Sequence, residues 1–103
     1  MDKALKGGQQ ARRAALLCQN VRFGFYLDCR RRQVKGLDYH QLPAGTHSPE
    51  DCADFLRHSC GIQSRAELDH NDMARAMLER IVADYQHWER QQRMLDRIAE
   101  GMA

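Results

Sequence analysis

The chain has 103 residues, with 16 Lys and Arg against 14 Asp and Glu and a formal net charge of +2. That length suits one domain with a modest core, and no apolar run approaches the roughly 18 residues of a membrane helix. The N-terminal stretch has no apolar segment followed by a small-residue cleavage site, which predicts a cytoplasmic chain whose four cysteines are thiols.

In chain order, ALKGGQQARRAALLCQN starts loosely at Gly7-Gly8 and continues in good helix formers. Asn20 is a cap for a second helix, VRFGFYLDCRRRQV, in which Leu17, Val21, Phe25 and Cys29 recur every four residues and Phe23, Tyr26 and Leu27 widen the stripe. Gly24 costs such a helix about 1 kcal/mol relative to alanine, and its lack of a side chain suits a close helix contact. Residues 36–47 hold two glycines and a proline without helical periodicity, and an irregular loop of this length is more often functional or mobile than a simple link. Tyr39 and His40 in that loop are rings on which an unpaired base can stack.

SPED then signals a helix start: Ser48 as N-cap, Pro49 at the first helical position, and Glu50 and Asp51 in the first turn. Cys52, Phe55 and Leu56 share one face of that helix, and Gly61 with Ile62 predicts a Schellman stop. SRAELD repeats the start signal, with Ser64 and Glu67 as a capping box. Asp69 or Asn71 caps the last helix, expected over 72–100, where no proline or glycine intervenes. Along it Ala74, Leu78, Ile81, Tyr85, Trp88, Gln92, Leu95, Ala99 and Met102 alternate in steps of four and three, a heptad seam. The expected fold is therefore all-α: a single domain over 1–103, a bundle of about four to five helices with a long C-terminal one.

The segment HQLPAGTHSPEDCADFLRHSC concentrates histidine and cysteine, yet it lacks metal-site spacing. Cys52 and Cys60 stand eight residues apart, about 80° and about 12 Å on a helix, too far to share an ion, and no Cys-x2-Cys occurs. For a Cys–His nucleophile, Cys52 sits among Glu50, Asp51 and Asp54, which oppose a thiolate. Neither a phosphate loop nor a Ser-His-Asp pattern is visible, so the expectation is no enzyme, no metal and no cofactor.

Charge is uneven. Residues 1–36 carry nine basic against two acidic side chains, or +7, and the remaining 67 residues carry seven arginines against twelve carboxylates, or −5. Arg12, Arg13, Arg30, Arg31, Arg32 and Lys35 are the candidate phosphate contacts of a basic face that suits DNA, with strand preference unresolved. Tyr85, Trp88, Leu95 and Ile98 are the candidate partner or homodimer interface, because few residues remain to cover the C-terminal half of the seam.

The succession of LCQNVRFGFYLDCRR, GTHSPEDCADFLRHSCGIQSRAELD and ARAMLERIVADYQHWER resembles small uncharacterised proteins of bacteriophages and prophages, from gene neighbourhoods for DNA replication and recombination. The resemblance covers about residues 15–90 and rests on overall pattern. It implies a phage-type accessory protein that acts near DNA or, as the alternative, a helical interaction module that inhibits a host defence complex.

Overall fold

The computed structural model describes residues 8–102. They form four α-helices, α1 (Gln9–Gln19), α2 (Val21–Lys35), α3 (Pro49–Cys60) and α4 (Asp72–Met102), with a 3-10 turn at Arg65–Asp69 between α3 and α4. No strand occurs among these residues, and the fold is all-α as the periodicity predicts. Gly7, with the rest of residues 1–7, lies outside the described residues.

Local chemistry sets each boundary. Asn20 breaks the chain between α1 and α2: its N–H still reaches the Leu17 carbonyl at 3.1 Å, while its side-chain oxygen accepts the Arg22 N–H at 3.0 Å. Its amide nitrogen also donates to the Tyr85 hydroxyl at 3.1 Å, which fastens the corner to α4. The capping box of α3 forms as expected, with Ser48 N–H on Asp51 at 3.0 Å and Asp51 N–H on Ser48 at 3.1 Å. Gly61 has φ 69°, a region glycine enters without a side-chain clash, and this lets the Ile62 N–H return to the Arg57 carbonyl at 2.9 Å. Ser64 and Glu67 make the second box, and it opens a short 3-10 turn.

One core gathers these elements. Phe23, Leu56, Leu68 and Leu78 are fully buried, and each contributes about 1.5–3 kcal/mol through removal from water. The rings of Phe23 and Tyr85 meet edge to face at 5.5 Å, and Tyr26 stands 5.6 Å from Tyr85. The buried stripe of α2 is Phe23, Tyr26 and Leu27, not the four-residue series that begins at Leu17: Val21 is 67% exposed. That series crosses the break at Asn20, so its members belong to two helices with different axes.

The long seam of α4 divides in two. Ala74, Leu78, Ile81 and Tyr85 are buried and Trp88 packs half-covered on the core, whereas Leu95, Ile98 and Met102 are exposed. Tyr85, expected at a partner interface, is therefore an internal residue at 5% exposure, because the α1–α2 corner packs at its level. Gly24 does permit a close approach, but the neighbour is the loop before α3: a β-carbon there would stand 3.1 Å from the His47 carbonyl oxygen. No helix of the described residues is long and apolar enough to cross a membrane.

Candidate nucleic-acid interface

The loop that joins α2 to α3 is held from within α2 by Asp28, a fully buried carboxylate. It accepts the Gly45 N–H at 2.6 Å, the Thr46 N–H at 3.3 Å and the Thr46 hydroxyl, and it meets His47 Nδ1 at 2.5 Å. Burial pushes the Asp28 carboxyl up, but the Thr46, His47 and Gly45 donors outweigh it and hold the group below the usual carboxylate value. Nothing in the segment-by-segment sequence pattern marks Asp28, although a carboxylate one residue after the buried pair Tyr26 and Leu27, with the donor-rich GTH ahead of a helix start, is a signal of this kind.

An Asp–His pair raises the question of acid–base chemistry. The His47 side chain is only 8% exposed, and one of its nitrogens is committed to Asp28. The pair therefore acts on the fold: it sets where the loop ends and α3 begins. Cys52, near the start of α3, is likewise a core residue, with burial pushing its thiol up to about 11, far from a nucleophile's range. Among the described residues no three His, Cys, Asp or Glu side chains converge to hold a metal.

With the loop fixed, three surface grooves follow one another. One of about 890 Å³ is lined by Arg31, His47, Arg57 and His58, together with Asp51 and Asp54. A second, of about 420 Å³, shares Arg57 and adds Arg12 and Arg65. A third, of about 220 Å³, shares Arg31 and His47 and adds Arg30 and Lys35. Both carboxylates in the first groove have local partners, Asp51 in the cap with Ser48 and Asp54 with Arg57. Within the first groove Arg57 is matched by Asp54 and Asp51 keeps its charge, so the positive character of this surface comes from its two ends, Arg12 and Arg65 by α1 and Arg31 and Lys35 at the C-terminal turn of α2.

The sequence-predicted cations divide on this surface. Arg12, Arg31 and Lys35 are exposed and pair with no carboxylate among the described residues. Arg13 leaves the face: both ends of its guanidinium grip Glu79 of α4, a bidentate pair. Arg30 is drawn to α4 as well, 3.3 Å from Asp84 and 5.8 Å from the Tyr26 ring centroid, so its charge is largely matched within the chain. Arg32 donates to the Leu42 carbonyl at 2.7 Å and works as a fastener of the loop. Conversely, Arg65 joins the face, as do His58 and Arg57, the last paired with Asp54, although the residues after 36 are acidic in sum. Their position after the SPED helix start, in the last turn of α3 and just beyond it, was the available signal.

Trp88 stands 5.8 Å from Tyr26 and 6.1 Å from Tyr85, so it closes the aromatic cluster. Leu95 and Ile98 lie farther along α4, 56% and 52% exposed, with Met94 and Met102 also open. Comparison with protein-family models, with curated proteins and with solved structures found no match.

Proposed function

We propose that the chain is a small accessory protein of the phage type that binds nucleic acid, without catalysis, through the face shared by α1, α2 and α3. The observation that carries this reading is the run of three grooves joined by Arg57 and Arg31, with Arg12, Arg31 and Lys35 exposed along it. Cations spaced along a surface suit a chain of phosphates, and such contacts position a polyanion with little regard to sequence. The near-closed environment of His47 and the high thiol pKa of Cys52 support the non-catalytic part.

The test is a titration with labelled oligonucleotides at several salt concentrations, on the wild type and on Arg12→Ala, Arg31→Ala and Lys35→Ala. Each substitution is expected to weaken binding and to lower the salt slope by about one. An absence of salt-sensitive binding at low ionic strength refutes the reading. Arg30 and Arg32 are poor choices for this series, because their internal contacts would confuse lost binding with lost packing.

The exposed side chains of the C-terminal arm favour a second reading, a helical module that docks on protein. Leu95, Ile98 and Met102 recur at helical spacing with no cover among the described residues. The occupant is either a second copy of this chain or a host protein. A dimer in sedimentation that Leu95→Glu with Ile98→Glu converts to a folded monomer supports self-pairing. A wild-type chain that is monomeric at every concentration excludes self-pairing.

A further inference from the structure

Resting on the nucleic-acid reading, we infer that Tyr39 is a stacking platform for an unpaired base, so that the basic face takes single-stranded rather than double-stranded nucleic acid. The turn that presents the ring is built from α2 outward. Gly36, at φ 65°, ends the helix and returns the Leu37 N–H to the Arg32 carbonyl at 2.9 Å. Asp38 and Gln41 then close a tight turn reciprocally: Asp38 N–H donates to the Gln41 side chain at 2.9 Å, and Gln41 N–H to the Asp38 carboxylate at 2.9 Å. The Leu42 N–H adds a bond to the Asp38 carbonyl at 3.0 Å.

Arg32 ties this turn back to α2 through the Leu42 carbonyl, and the same guanidinium carbon lies 5.4 Å from the centroid of the Tyr39 ring. That contact is within cation–π range and restrains the ring from one side. The ring is nevertheless 58% exposed, a large aromatic area left to solvent. Its hydroxyl has no hydrogen-bond partner among the described residues, so the fold gains little from having a tyrosine there. An exposed aromatic side chain with the Arg32 guanidinium over its ring and the His40 ring 6.4 Å away, in the turn that directly follows the basic last turn of α2, combines stacking with phosphate attraction as single-strand sites do. Bases in a duplex are already stacked and paired, and only their phosphates are available to this surface.

The experiment measures binding of an oligothymidine and of a duplex of equal length by fluorescence anisotropy, at two salt concentrations. Tyr39→Ala and Tyr39→Leu are expected to lower single-strand affinity about tenfold while duplex affinity and the salt slope hold. Tyr39→Phe keeps the ring and is expected to retain wild-type affinity. Because Tyr39 lies on the surface, all three variants are expected to keep the wild-type far-ultraviolet circular dichroism. Equal losses on both probes, or no loss on either, overturn the inference and leave the nucleic-acid reading standing. A wild type without salt-sensitive binding to either probe overturns both.

Discussion

Removal of the Asp28 carboxylate tests how the fold holds its loop. In Asp28→Ala, the donors of Gly45, Thr46 and His47 lose their shared acceptor. Gly45 and Thr46 lie in exposed backbone and can turn to water, whereas His47 is 8% exposed and cannot. A hydrogen bond to a charged group contributes about 1.5–3 kcal/mol, and with the two exposed residues rehydrated the buried His47 contact sets the loss, at about 3 kcal/mol. For a chain of this size that lowers the melting temperature by about 12–24 °C. Urea denaturation followed by circular dichroism measures the loss, and a change below about 1 kcal/mol would refute the reasoning. The pH dependence supplies an independent check. Because the folded carboxyl lies below its unfolded value of about 4, its contribution is complete above that value and fades as pH falls through the folded pKa. Asp28→Asn should therefore flatten part of the acid limb of the stability curve.

Asp69→Ala should cost about 1–2 kcal/mol by uncapping α1, and hydrogen exchange should quicken at Gly8, Gln10 and Ala11, whose N–H groups it receives at 2.8, 3.0 and 3.2 Å. Gly24→Ala gains about 0.5–1 kcal/mol of helix propensity but presses on backbone at His47, an overpacking cost of about 1–3 kcal/mol, so net destabilisation is expected in urea. Leu95→Ala should change monomer stability by under about 0.5 kcal/mol, whereas Leu78→Ala, seventeen residues earlier on the same seam, should cost about 2–5 kcal/mol. Equal losses in that pair of variants would show that the arm is covered within the monomer.

The features legible in the sequence are those satisfied within a few residues. Asn20, the Ser48–Asp51 and Ser64–Glu67 boxes and the stop at Gly61 each complete their hydrogen bonds within a turn or so of helix. Asp69 shows the limit. Its neighbourhood offers it as a cap for α4, but Asn71 takes that role through Ala74 N–H at 3.0 Å, and Asp69 reaches back to α1. Asp28 and Arg13 are likewise decided by partners 17 and 66 residues away. The basic face was half legible for the same reason: a sum over segments hides Arg57 and Arg65, whose position beside Arg12 and Arg31 is a property of the folded chain.

The clasp between Asp69 and α1 also bears on the order of assembly. A helix of 11 residues is too short to persist alone in water, and its cap lies 61 residues beyond Gly8 in the chain. During synthesis the first helix emerges long before the side chain that completes it, and Glu79, which neutralises Arg13, follows later still. Residues made later therefore close a helix made earlier, and a nascent chain stalled short of Asp69 lacks the acceptor for the Gly8, Gln10 and Ala11 N–H groups.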